Sequence, residues 1–267
     1  MGDFTPIPGP WGLPIVGNAL ALMTEETPIL GLERMADTYG PIYQLILNGK
    51  RTIVVSSAAM VEELVDEKRF RKIAPAALAQ MKGEAKGLFS AANDDPDWGQ
   101  AHRILIPPMG PLPVEGMFDD MKDIANQLIL KWARKGSEDR ILLTDDFTRL
   151  TLDTIALCSM KYRFNSFYSA EMHPYVDAML NVLEESGARS TRPAIISALR
   201  YSSNTKFEES EAILKRTAQQ IIDNRRANPT SEQDLLNAMI YGKDPKTGLA
   251  MRDELIAAQM TTFLIAG

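Results

Sequence analysis

Trp98 and His102 have the types and the spacing to do chemistry. Four positions apart on a helix, they share one face. An indole N–H beside an imidazole N–H could donate to a single anion, such as a carboxylate. The same spacing also suits a packed tryptophan beside a satisfied histidine. Arg103 adds positive charge, but as the next residue along the helix it points elsewhere. His173 precedes Pro174 and has the place of a helix-opening residue. With two histidines and one cysteine in the chain, a metal centre built from protein alone would need several carboxylates. No His-Glu-x-x-His spacing supplies one. Cys158 lies in an apolar helical stretch, and the expectation is a buried structural thiol.

Other chemistries fail on spacing. No glycine-rich phosphate loop follows a strand, and no Gly-x-Ser-x-Gly elbow occurs. One cysteine excludes an internal disulfide, a Cys-rich zinc site and an iron–sulfur cluster. A net charge of −6 argues against a phosphate-backbone binder. The pairs Lys215-Arg216 and Arg225-Arg226, like Glu184-Glu185 and Glu208-Glu209, are expected on solvated helix faces. Nothing predicts nucleic-acid binding. The N-terminus has no basic stretch before an apolar core, and no apolar run is long enough to span a bilayer. A reduced, cytoplasmic protein is the expectation.

The elements that must position these residues are mostly helical. Pro6, Pro8, Pro10 and Pro14 make an extended lead-in, with Ile7, Trp11, Leu13 and Ile15 available to dock it. Thr27-Pro28 opens a helix with Ile29, Leu32, Met35 and Ala36 on one face. Ile42–Leu47 and Thr52–Val55 flank Asn48-Gly49, a strong hairpin signal. A helix over 58–66 follows. Asp95-Pro96 opens the Trp98 helix, which Pro107-Pro108 ends. Residues 117–133 form an amphipathic helix, 141–143 a short strand, and Thr144 caps a helix to about Ser159. Helices then cover 174–185, stopped by Gly187, and 206–228, with 188–205 ambiguous. A shorter helix spans 232–241, a polar loop 242–248, and a final helix begins near Met251. The fold class is therefore mainly α with a small β-sheet, in one domain without βαβ alternation. The apolar ending Leu255–Gly267 suggests a chain cut within a buried helix.

Several stretches carry a family likeness. They are Pro6-Ile-Pro-Gly-Pro-Trp-Gly-Leu-Pro-Ile-Val-Gly-Asn18 and Trp98-Gly-Gln-Ala-His102. Leu150-Thr-Leu-Asp-Thr-Ile-Ala-Leu-Cys158 and Lys161-Tyr-Arg-Phe-Asn-Ser-Phe-Tyr168 follow, then Gly242–Gly248 and Thr261-Thr-Phe-Leu-Ile-Ala-Gly267. Over nearly its whole length the sequence resembles the N-terminal part of a cytochrome P450. It is most similar to self-sufficient fatty-acid hydroxylases whose haem domain is fused to an NADPH–P450 reductase.

The resemblance implies the P450 fold, truncated at the start of its long central helix, with haem b and, if the reductase is fused, FAD and FMN. It implies a monooxygenase that uses O2 and NADPH-derived electrons on fatty acids or other apolar molecules. Trp98 and His102 would hold a haem propionate, assisted by Lys72. Ala266 and Gly267 would face the haem. Phe89 would stand over it and limit substrate approach. Lys50, Arg51 and Val54 would lie at the substrate mouth, where Lys50 takes the place of the relatives' arginine and Val54 replaces their tyrosine. Cys158 matches a position that does not ligate iron, so no metal ligand or proton-relay threonine is expected here. These residues alone are expected to be inactive. The alternative is a catalytically inactive helical fragment, or a module that binds apolar ligands.

Overall fold

Thr27 caps the first long helix of the computed structural model, accepting the Leu30 N–H in its hydroxyl, with Pro28 at the first helical position. The structure describes residues 5–13, 17–22, 25–47, 49–74, 86–92, 94–136, 138–191 and 201–266. Two compact units divide the chain: residues 1–73 with 188–199, and residues 74–187 with 200–267.

In the first unit, α1 (Ala19–Leu22) and α2 (Pro28–Tyr39) precede β1 (Ile42–Leu47), β2 (Lys50–Val55) and α3 (Ala58–Leu64). The two strands pair antiparallel from Ile42 with Val55 to Leu47 with Lys50. Gly49 takes φ 72°, the left-handed turn conformation the hairpin needs; Asn48 lies outside the described residues. Met35, Tyr43 and Leu45 form a small buried core. The Tyr43 hydroxyl donates to the Leu32 carbonyl at 2.8 Å, tying β1 to α2.

The proline-rich lead-in docks through its backbone rather than its apolar side chains. The Gln44 N–H donates to the Pro8 carbonyl, and the Gln44 side chain to Ile7, each at 2.8 Å. Asn18 exchanges two hydrogen bonds with the Ile46 backbone. Gly17, at φ 60°, must be glycine, since a Cβ there would sit 2.1 Å from the Ile46 carbonyl oxygen. Trp11 is 87% exposed and Leu13 is exposed, contrary to the expected apolar docking; Ile15 lies outside the described residues. Ile29 is also exposed, so the buried stripe of α2 is narrower than expected.

The second unit holds α4 (Pro96–Leu105), α5 (Pro111–Glu115), α6 (Phe118–Ala133), α7 (Leu143–Met160), most of α8 (Pro174–Thr191), α9 (Tyr201–Ala227), α10 (Leu235–Tyr241) and α11 (Asp253–Ala266). Its core joins Ala101, Ile104 and Leu105 of α4 to Leu152 and Ala156 of α7, Phe207 and Ile222 of α9, and Leu255, Ile256 and Met260 of α11. Burying each large apolar side chain there contributes about 1.5–3 kcal/mol. The mainly α class with a small sheet stands.

Several local expectations fail for physical reasons. Ile141–Leu143 forms no strand: Leu143 begins α7, and no described strand pairs with this segment. Thr144 therefore lies inside the helix, where its carbonyl accepts the Thr148 hydroxyl. Gly187 does not stop α8, which continues to Thr191, because a glycine with negative φ is compatible with a helix. Finally, Arg225 is 5% exposed rather than solvated. Its guanidinium bonds both oxygens of the buried Asp234, the Asn237 side chain and the Met160 carbonyl. Glu185 is buried too, whereas Lys215, Arg216 and Glu184 are exposed as expected.

Candidate active site

Asp95 caps α4 by accepting the Asp97 N–H at 2.9 Å, and Pro96 opens the helix. Trp98 and His102 stack on its surface, with ring centroids 4.7 Å apart and planes 18° from parallel. Both are half-buried. Each ring carries an N–H, the kind of donor a carboxylate accepts.

The remaining faces of α4 are bolted down, and this connects the polar 242–248 loop to the Trp98–His102 pair. Arg103 donates to both oxygens of Asp244 at 2.6 and 2.8 Å, and Asp244 is fully buried. Arg252 makes a second two-pronged pair with Asp97, at 2.7 and 2.6 Å. Gln100 donates to the Leu249 and Ala250 carbonyls. Gly99 leaves room for Arg103 to fold back along the helix, because a Cβ there would lie 2.9 Å from a guanidinium nitrogen. Planar guanidinium forks fix direction as well as distance. The orientation of α4 is thereby set by contacts that the pair itself does not make.

The Arg103 guanidinium holds the Asp244 carboxyl well below the usual carboxylate range, helped by the Thr247 hydroxyl and the Lys246 N–H. A depressed folded-state pKa stabilises the fold above the unfolded value, about 3.9. That contribution is lost as pH falls below it towards the folded value. The anchor of α4 is therefore intact at neutral pH and weakens only in strong acid.

Phe89 is 59% exposed on a turn in which the Ser90 and Ala91 N–H groups both donate to the Gly87 carbonyl. Ala266, at the end of α11, is exposed, and Gly267 lies outside the described residues. On the hairpin, Lys50 and Arg51 are both exposed, but strand alternation puts them on opposite faces. Lys50 pairs with Leu47 and Val54 with Tyr43, on the face of the small core, and Val54 packs against that core. Arg51 pairs with Ile46 on the other face. The one-residue offset between the two cations is thus a change of face. Lys72 is exposed in the first unit, eight residues beyond α3.

Cys158 is 4% exposed, its sulfur 3.9 Å from the Met117 carbonyl oxygen. Burial, with Asp120 nearby, pushes its thiol up to about 11, so the thiolate that metals require is suppressed at neutral pH. His173 accepts the Tyr175 N–H at the start of α8, and burial lowers its pKa despite Asp153. Among the described residues no cluster of three or more His, Cys, Asp or Glu is placed to hold a metal ion. Nor is any helix among them long and apolar enough to cross a membrane. Residue spacing missed Asp244, Arg252 and Gln259, whose partners are remote in sequence.

Comparison with known proteins bears on the same residues. The family model described as cytochrome P450 matches residues 7–267. The chain is 50% identical over 263 residues to a bifunctional cytochrome P450/NADPH–P450 reductase of Aspergillus oryzae, covering 98% of this chain and 24% of that protein. It is 49% identical to the bifunctional cytochrome P450/NADPH–P450 reductase ascE of Acremonium egyptiacum, over 98% of this chain and 25% of the relative. Against the self-sufficient cytochrome P450 monooxygenase CYP505E3 of Aspergillus terreus it is 47% identical, with the same 98% and 25% coverage. The chain thus spans about a quarter of the length of these curated relatives. A family match over residues 7–267, with helices and a hairpin where the motifs require them, has one conclusion: the chain belongs to the cytochrome P450 family.

Proposed function

We propose that this chain is part of a haem-thiolate monooxygenase that hydroxylates fatty acids or similar apolar molecules with O2 and NADPH-derived electrons. The observation that carries the reading is the stacked Trp98–His102 pair on a helix whose other faces are immobilised by Asp244, Arg252 and the 249–250 carbonyls. Such a pair would hold a haem propionate by two N–H donors. Haem, when bound, supplies the O2 chemistry. The residues of this chain orient and exclude: Ala266 would face the haem, and Phe89 would restrict which carbon approaches it. Lys50 attracts the substrate carboxylate at the mouth, with Val54 further along the same face of β2, and Arg51 acts from the opposite face of the hairpin. Electrons come from a reductase with FAD and FMN in the same polypeptide, as the names of the relatives suggest. The iron ligand in this reading is a cysteine other than Cys158, which is buried on α7. A cytoplasmic location belongs to the same proposal.

Incubating the full-length protein with NADPH and dodecanoate, with product identified by mass spectrometry, tests it. Hydroxydodecanoate is the expected product. Lys50→Glu is expected to raise KM roughly threefold to tenfold, the scale of an exposed charge pair made repulsive, with kcat little changed. Arg51→Glu, on the other face, has a smaller effect. NADPH oxidation without hydroxylated product would overturn the substrate assignment.

A further inference from the structure

Gln259 lies in the middle of α11 and is fully buried. Its side-chain carbonyl accepts the Leu88 N–H at 3.0 Å, and its amide donates more weakly to the Lys86 carbonyl at 3.5 Å. One side chain thereby grips both sides of Gly87, much as a neighbouring strand would. The close approach depends on the glycine. A Cβ on Gly87 would lie 2.0 Å from the Thr262 hydroxyl and 3.1 Å from the Ala258 carbonyl oxygen. Thr262 cannot easily yield, since its hydroxyl donates to Ala258 at 2.8 Å within the helix. Leu88 packs partly buried against the main core. The next residue is Phe89, whose ring projects from this turn with 59% exposure.

We propose that Gln259 is a positioning residue: by fixing the 86–88 backbone on α11 it sets where Phe89 stands, and hence which carbon of a bound substrate is presented for oxidation. The specificity half of this inference rests on the role given to Phe89 under the proposed function. The clamp half rests on geometry alone. Losing the amide removes the acceptor that Gln259 offers the Leu88 N–H and the donor it offers the Lys86 carbonyl. The loop is then held less firmly in one register on the helix, and the exposed Phe89 that follows it samples several positions.

The test compares the haem-loaded full-length protein with Gln259→Leu, Gly87→Ala and the double variant Gly87→Ala/Thr262→Ala. Two quantities are read: amide hydrogen exchange at Leu88, and the ratio of hydroxylation positions on dodecanoate. Gln259→Leu is expected to speed Leu88 exchange roughly threefold to tenfold and to broaden the position ratio, with total turnover changing less. Gly87→Ala, which wedges the loop away without touching Gln259, should reproduce both effects. Removing the Thr262 hydroxyl in the double variant should restore most of the wild-type ratio. That rescue separates positioning from a general loss of stability. Unchanged Leu88 exchange in Gln259→Leu overturns the clamp, and faster exchange with a wild-type position ratio overturns the specificity role. A wild-type protein that hydroxylates no dodecanoate sinks the substrate assignment instead, and the Leu88 exchange rate then decides the clamp by itself.

Discussion

Replacing Arg225 with leucine is expected to destabilise the protein by about 3–5 kcal/mol, the usual consequence of removing one partner of a buried ion pair. The cost is large because one guanidinium serves three elements at once. It closes on both oxygens of Asp234 and reaches the Asn237 side chain at the start of α10. It also satisfies the Met160 carbonyl at 2.7 Å, where α7 ends in a left-handed residue, Lys161 at φ 47°. Asp234 in turn caps α10 by accepting the Asn237 N–H at 2.8 Å. Without Arg225 a carboxylate only 3% exposed would lose its cationic partner. Against a total stability of about 5–15 kcal/mol this is a substantial share, and roughly 6–20 °C in Tm for a domain of this size. Arg216, exposed on the same helix, is the control: Arg216→Ala should stay within about 0.5 kcal/mol of wild type. Thermal unfolding of both variants measures the difference. Equal melting of Arg225→Leu and wild type would show that the network carries no net stability.

The second large effect concerns cofactor retention. His102→Leu in the full-length protein is expected to speed haem loss to an apoglobin trap roughly tenfold to a hundredfold. That is the worth of a charged hydrogen bond, about 1.5–3 kcal/mol. Trp98→Phe keeps the stack and loses only the indole donor, so its effect should be of the same kind but smaller. Because the rings touch, at 4.7 Å between centroids, the double variant should fall short of the sum of the two. Asp244→Asn offers an indirect route to the same loss, since it weakens the grip of Arg103 on the far side of α4. Haem release from His102→Leu at the wild-type rate would remove this residue from the propionate site.

What could be read from the sequence follows from the range of the interactions. The α4 pair depends on a spacing of four within one helix, and the hairpin on a glycine turn between two β-prone runs. Both are local, and both are where they were expected. Arg225 looked like one of a solvated basic pair because its partners lie in other elements, as far away as Met160. Gln259 meets Leu88 across 171 positions, and Arg103 meets Asp244 across 141; no local pattern marks either. The strand expected at 141–143 failed because β-propensity needs a neighbouring strand to act on, and none of the described strands lies beside it. Gly187 misled in the opposite sense: glycine ends a helix when it turns left-handed, and this one does not. The candidate site was therefore visible as residues, while the supports that aim those residues became visible only with the fold.

The central claim is that this chain contributes the propionate clamp and substrate-facing surface of a haem site but not its iron ligand. The reduced, carbon monoxide-bound absorption spectrum of the full-length protein carrying Cys158→Ser tests it most directly. The account predicts a thiolate-type haem band of wild-type intensity, because Cys158 is buried within α7. Loss of that band in a variant that still folds and still binds haem would make Cys158 the ligand and contradict the account.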